Sequence, residues 1–432
     1  MWRTSYLIFR GLSAAGFWVE RRFTPAGLLV LGGVVLAAVF GVDTSLTVAY
    51  QIFTLLAALL AIAIVAAWFG TTPLVVRPRL PHTLTAGESF ALRFAVRNTS
   101  DRPVDGVALR AELADRRPAF AEFRSRLKFP HYRGWARLMF ANRIAYVDEA
   151  PLPMLPARAE VEIEARGQAV RRGRLRITGI NAARAEPLGL FRRLTEAAGA
   201  ADICVLAKRY ALPPIALPGA RRYQPGGMPQ GSSVGDSEEF LGLRDYRPGD
   251  PLQKVHWKSF ARAGKPIVRE YQDEFFERHA LLLDTGRAEG EDAVFEEAVA
   301  VAASFVYTID TRECLLDLLF VGDQVHSYTA GRGQVSAEHL LEVLAAVAPS
   351  APRDFAEMAR VARSRMSRMS SCILVLVAWD GARRALAESL IGCGLDVRAM
   401  LICGAEDEPA GAPAWLRILH PGEIEAGLAR LA

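Results

Sequence analysis

Two uncharged runs, residues 25–42 and 46–69, stand almost end to end near the start of this 432-residue chain, with only Asp43, Thr44 and Ser45 between them. As helices rising about 1.5 Å per residue they would reach about 27 and 36 Å, against a hydrocarbon core of about 30 Å. Two such neighbours are hard to place inside one globule. The sequence therefore predicts a transmembrane helical hairpin over 23–70, with spans at about 25–42 and 46–69. Small residues four apart, Gly33, Ala37 and Gly41 on one run and Ala57 and Ala61 on the other, would let two helices approach closely in lipid. The first run starts too deep, and lacks the cleavage site, for a secretory signal. The runs also explain a mean hydropathy of +0.15 in a chain that is 23% charged.

Orientation follows from the flanks. Arg3, Arg10, Arg21 and Arg22 precede the runs, Arg77 and Arg79 follow them, and the connecting loop carries only Asp43. The positive-inside rule then keeps both termini in the cytoplasm, with 1–22 a cytoplasmic segment whose apolar stretch 5–19 would lie along the inner leaflet. Five cysteines without a C-x-x-C pair read as free thiols of a reducing compartment.

After the runs the hydrophobic period changes. Phe90, Leu92, Phe94 and Val96 alternate with Ala91, Arg93, Ala95 and Arg97, and Val107, Leu109, Ala111 and Leu113 repeat the pattern. Strands in succession predict an antiparallel β-sandwich over 71–215. It is interrupted at 118–147, where Arg124, Arg126, Lys128, Arg133, Arg137 and Arg143 mix with Phe120, Phe123, Phe129, Tyr132, Trp135 and Phe140. That mixture suits an anionic lipid headgroup layer, or RNA, or an insertion whose rings pack inward while its arginines are solvated. The tether favours lipid over nucleic acid, and no nucleic-acid partner is expected. A Gly/Pro-rich linker, 216–235, leads into an α/β domain over 236–432, where continuous apolar strands alternate with helices.

The usual enzyme motifs fail on context. GSSVG at 231–235 matches a nucleophile elbow but lies in the linker, and neither a phosphate loop nor clustered zinc ligands are present. The dense stretch is 236–274. Pro248-Gly249 makes a turn, Asp250 and Gln253 form a capping box, and Gly264 closes a helix over 251–263 that leads to a strand at 267–271. Glu239, Arg244, Tyr246, Gly249, Asp250, Trp257, Lys258, Arg262, Arg269 and Glu270 are the candidate site residues, either a partner-binding surface or a structural ion-paired plug. No catalytic residue is assigned. The alternative is a membrane-bound hydrolase using the Asp250–His256 region, or a lipid- or nucleic-acid-binding module using 118–147.

The run EF–LRDYRPGD–VHWKSFAR–VREY, with RRGRLRI at 171–177 and EPLGLF at 186–191, resembles the bacterial "domain of unknown function 58" family. The resemblance implies an inner-membrane (plasma-membrane) protein with a helical hairpin, a sandwich and a C-terminal half similar to von Willebrand factor A domains. It also implies a MoxR-type AAA+ ATPase as partner, in protein assembly or maturation. Metal-binding A domains carry D-x-S-x-S after their first strand. Here the run is Asp284-Thr285-Gly286-Arg287-Ala288, so only a degenerate magnesium site at Asp284 and Asp380 is conceivable, and no cofactor is expected.

Overall fold

Three helices lead the chain: α1 (Trp2–Arg22), α2 (Pro25–Phe40) and α3 (Thr47–Phe69). In the computed structural model the described residues are 1–40, 47–69, 72–213, 240–250, 252–271, 277–286, 292–311, 314–322, 324–331, 334–350 and 355–431. They divide into two compact units, 1–208 and 209–432. One stretch, Val48–Phe69 of α3, is long and apolar enough to cross a membrane, whereas the apolar part of α2 is shorter, Pro25–Val39. The two helices lie side by side, so that a Cβ on Gly33 would come 3.1 Å from the Leu56 side chain. The expected turn at Asp43 lies outside the described residues.

Next come β1 (Leu74–Arg79), β2 (Thr83–Thr85), β3 (Ser89–Asn98), β4 (Val107–Leu113), α4 (Phe120–Ser125), α5 (Tyr132–Ala141), β5 (Ala145–Val147), β6 (Ala150–Pro151), β7 (Glu160–Ala169), β8 (Gly173–Ala185), β9 (Arg192–Ala198) and β10 (Ala201–Leu206). They form sheets ordered β1-β3-β7-β5 and β2-β10-β8-β4-β6, with β9 also on β8. Pairing is antiparallel except between β2 and β10. Leu92, Phe94 and Val96 from one sheet share a core with Leu109, Ile177 and Val205 from the other. The alternation of the sequence thus puts one face of each strand inside.

The interruption at 118–147 is part helix. Phe123 and Trp135 are fully buried. Against them pack Trp2 and Tyr6 of α1, with ring centroids 5.6 Å apart in both Trp2–Phe123 and Tyr6–Trp135. Its inner rings therefore build a small aromatic core under α1, and Phe129, Tyr132 and Phe140 stay exposed.

A turn between β8 and β9 holds the helices to the sheets. The buried carboxylate of Glu186 accepts the backbone N–H groups of Leu188, Leu190 (2.6 Å) and Phe191 (3.3 Å), which fixes the EPLGLF segment as a tight loop. Leu190 and Phe191 then pack with Phe23, Ala63 and Ala67. The Thr24 amide donates to the Leu190 carbonyl at 3.1 Å. A Cβ at Gly27 would lie 1.9 Å from that carbonyl oxygen, so only glycine fits where α2 meets the loop.

The second unit begins with β11 (Phe240–Asp245), α6 (Trp257–Ala263) and β12 (Ile267–Tyr271). It continues through β13 (Glu277–Leu283), α7 (Asp292–Thr308), β14 (Cys314–Val321), β15 (Val325–Ala330), α8 (Ala337–Ala346), α9 (Phe355–Arg365), β16 (Ser371–Leu376), α10 (Gly381–Gly392), β17 (Asp396–Ile402), β18 (Leu416–Leu419) and α11 (Ile424–Leu428). β11 and β12 form a two-stranded sheet, and the rest form a six-stranded sheet ordered β15-β14-β13-β16-β17-β18. Only the β14–β15 pairing is antiparallel. All six residues of β16 are buried, as a central strand covered on both faces requires.

Within this core His279 is 3% exposed and its Nδ1 lies 2.8 Å from the Ser371 hydroxyl. Burial pushes its pKa below the ordinary value, and the charge of Glu277 offsets only part of that. The unfolded chain therefore takes up a proton near pH 6.5 that the folded chain refuses, so stability is full above that pH and falls as pH drops below it. Chemical unfolding of the full chain between pH 7.5 and 5 should show this slope, and His279→Gln should flatten it. An unchanged slope in the variant would assign the effect to other groups.

Candidate functional site

The dense signature stretch folds as a strand, an excursion and a returning strand. β11 and β12 pair with Leu243 opposite Arg269, Arg244 opposite Val268 and Asp245 opposite Ile267. The turn between them needs Gly249, whose φ of 107° suits glycine. Asp250 fixes that turn. Its carboxylate accepts two parallel bonds from Arg244, at 2.7 and 2.8 Å, and the Arg247 amide at 2.8 Å. The bidentate Arg244 bond, then the Arg247 amide, hold its pKa down to about 2. Lys265 closes the other end with a 2.9 Å bond to Asp245.

The single helix expected over 251–263 is not formed. A 3-10 turn, Leu252–Lys254, is followed by Val255, which bridges to Val268, and by a hydrogen bond from the His256 amide to the Ile267 carbonyl at 2.8 Å. This β-type pairing breaks the helix, which restarts at Trp257. Asp250 is engaged by Arg244 and does not cap it. Instead His256 stands at the N-cap, its Nδ1 2.6 Å from the Ser259 hydroxyl. Gly264, at φ 66°, ends the helix in the left-handed position.

The result is a small unit with polar pins and an apolar outer surface. Val255 and Val268 are buried, while Leu243, Leu252, Trp257 and Phe260 are exposed at 44, 67, 62 and 37%. Trp257 and Phe260 meet edge to face at 6.0 Å. Lys258, Arg262 and Arg269 are exposed as well. Tyr246 donates its amide to the Pro266 carbonyl at 3.0 Å. Glu270 has a place in β12 opposite Gly242, and Glu239 lies outside the described residues.

The second candidate lies at the strand ends of the large sheet. Counted from β13, the strand order is 3-2-1-4-5-6, and the crevice between β13 and β16 is where such sheets ordinarily receive ligands. Asp284 ends β13 there, and Asp380 caps α10 by accepting the Arg383 amide at 2.9 Å. Between the two carboxylates lies the Arg383 guanidinium, 2% exposed. It donates to Asp284 Oδ2 at 2.6 Å and Oδ1 at 3.0 Å, to the Gly286 carbonyl at 3.2 Å, and to Asp380. The face of Phe355 covers it at 4.5 Å. Asp284 also accepts the amides of Gly286 at 3.0 Å and Val377 at 3.2 Å. Burial alone would lower the pKa of Arg383, but the bonds and charges of Asp284 and Asp380 outweigh it and raise the pKa.

These residues do not fit a divalent cation. Magnesium needs about six oxygens near 2.1 Å, and the oxygens that would supply it already hold a fixed positive charge. Among the described residues no group of three or more His, Cys, Asp or Glu is placed to hold a metal. Sequence reasoning weighed Asp284 and Asp380 but not Arg383. Its signal was the spacing Asp380-Gly-Ala-Arg383, which returns the arginine to its own cap one helical turn later.

Removing the guanidinium strands two carboxylates, one of them 1% exposed. Arg383→Met should lower the unfolding free energy by roughly 3–5 kcal/mol, the usual loss for a broken buried pair. The variant, unlike the native chain, should gain thermal stability from magnesium. A loss below about 1 kcal/mol would contradict the buried-pair reading.

Residues 242–387 match the family model described as "Protein of unknown function DUF58". The chain is 25% identical over 126 residues to the uncharacterized protein YeaD of Bacillus subtilis, covering 29% of this chain and 31% of that relative. The CARDB domain of PF1109 from Pyrococcus furiosus shows 14% identity and a TM-score of 0.18 over 31% of this chain and 94% of its own. The PapD-like domain 7 of human CEP192 shows 10% identity and a TM-score of 0.16 over 32% of this chain and 90% of its own. At those scores neither bears on the fold. The family match spans Arg244, Asp250, Trp257, Asp284, Asp380 and Arg383, and it is through this stretch that the chain is similar to the DUF58 family of proteins of unknown function.

Proposed function

We propose that this protein is a membrane-anchored scaffold, held at the cytoplasmic face of the bacterial inner membrane with both termini inside, that docks a protein partner through the outer surface of the β11–α6–β12 unit. The observation that carries this reading is the exposed pair of Trp257 and Phe260 on a backbone pinned by Arg244–Asp250 and Lys265–Asp245. Exposed aromatics cost little further entropy to bind when their support is rigid, and Trp is the side chain that most often dominates an interface. Exposed Lys258, Arg262 and Arg269 on the same unit favour an acidic counterpart.

The partner is a MoxR-type AAA+ ATPase, as the family resemblance implies, and the work is assembly or maturation of other proteins. The strand order of the large sheet, with its antiparallel edge strand β15, supports a von Willebrand factor A-like reading of the C-terminal unit. Its crevice is plugged by Arg383, which favours docking over metal-dependent ligand capture. The hydrolase alternative draws on the His256–Ser259 contact alone. That contact is local to one helical turn, and Asp250, the group that would have oriented His256, is bound to Arg244 instead.

A photo-crosslinking residue at Leu252 of the full chain in native membranes should capture the ATPase. Trp257→Ala should weaken that association by about thirtyfold, the equivalent of about 2 kcal/mol for a central aromatic anchor. Equal capture by native chain and variant would refute this docking surface.

A further inference from the structure

α1 carries apolar side chains on two opposite sides. On one, Trp2, Tyr6 and Phe9 pack into the aromatic cluster of Phe123 and Trp135. On the other, Leu7, Ile8, Leu12 and Trp18 are exposed at 66, 53, 58 and 51%. A helix bound to its own protein by one face has no folding reason to keep a second apolar face in water.

The neighbourhood of α1 says what covers that face. Only Phe23 and Thr24 separate α1 from α2. The link is held by the Leu190 carbonyl, which accepts the Thr24 amide, and by Arg192, which donates to the carbonyls of Phe23 at 3.3 Å and Glu20 at 3.4 Å. At the same level Ala63 and Ala67 of α3 pack beside Phe23, and Trp68 and Phe69, exposed at 79 and 82%, follow them. The end of α1 therefore sits where the apolar helices emerge, among rings of the kind that collect at a membrane–water boundary. Its charges suit phosphate groups: Arg3, Arg10 and Arg22 against Glu20, with Arg22 stacked over Trp18 at 5.7 Å, while Arg21 is paired with Glu112 at 3.0 Å.

We infer that α1 is an interfacial helix whose Leu7–Ile8–Leu12–Trp18 face lies in the headgroup–acyl boundary of the bilayer that surrounds α2 and α3. This rests on the membrane-anchor reading and adds to it. The first unit then meets the membrane along a surface as well as through the apolar helices, so the sheets behind it are held at a fixed attitude to the membrane plane.

The test is collision accessibility of a spin label at Leu12→Cys in the full chain, with Cys204 and Cys393 replaced by serine, in phosphatidylcholine–phosphatidylglycerol vesicles. Labels at Ile62→Cys on α3 and Ile391→Cys on α10 serve as lipid and water references. The expected result is a ratio of oxygen to nickel-chelate collisions at Leu12 several-fold above that at Ile391 and closer to that at Ile62. A Leu12 ratio equal to that at Ile391, with Ile62 still in lipid, overturns the interfacial helix and leaves the anchor standing. Leu12 shielded from both reagents overturns it in favour of a protein cover, a second copy or a partner. Ile62 open to the nickel chelate overturns the anchor, and this inference with it.

Discussion

The guanidinium of Arg383, held between Asp284 and Asp380 and roofed by Phe355, decides what the C-terminal unit can do. An open parallel sheet with this strand order has one natural binding crevice, where the connections leave β13 and β16 in opposite directions. Here that crevice contains a charge already neutralised from within. The buried carboxylate of Asp284 needs a cation, and an arginine from the helix that Asp380 caps supplies it. In the proposed reading, recognition falls to the outside of the unit, where the β11–α6–β12 element exposes Leu243, Leu252, Trp257 and Phe260.

The same device recurs. Glu186 gathers three amides to shape the loop that receives α2. Asp250 takes one amide and a bidentate arginine to shape the turn before α6. Asp284 takes two amides and an arginine at the end of β13. Each carboxylate is placed where a loop must hold one conformation, and each is satisfied in full by groups close at hand. Each site fixes the backbone of its own segment: the loop beneath α2, the turn before α6 and the end of β13.

Much of this was legible in the sequence. The alternation from Phe90 to Val96 marked β3, and the continuous apolar runs near Ile373 and Val397 marked β16 and β17, because burial periodicity is a local property. Other features were hidden. β15 and β18 are a short, half-exposed strand and a four-residue strand with weak periodicity. The capping box read from Asp250 and Gln253 was a sound local pattern, but a stronger bond to Arg244 and the Val255–Val268 bridge prevailed over it. Arg383 looked like one more arginine on an amphipathic helix, and only the long-range approach of Asp284 gives it a role. The role of EPLGLF as the seat of α2 likewise needs the contact between Gly27 and Leu190, which are far apart in the chain.

The central claim, that recognition uses the signature element's outer surface while the sheet crevice stays closed, is tested most directly by amide hydrogen exchange of the full chain in lipid nanodiscs, with and without the MoxR-type ATPase. The account expects added protection over Trp257–Ala263 and unchanged exchange at 284–286 and 380–383. Protection confined to the crevice, with the signature element unaffected, would contradict it.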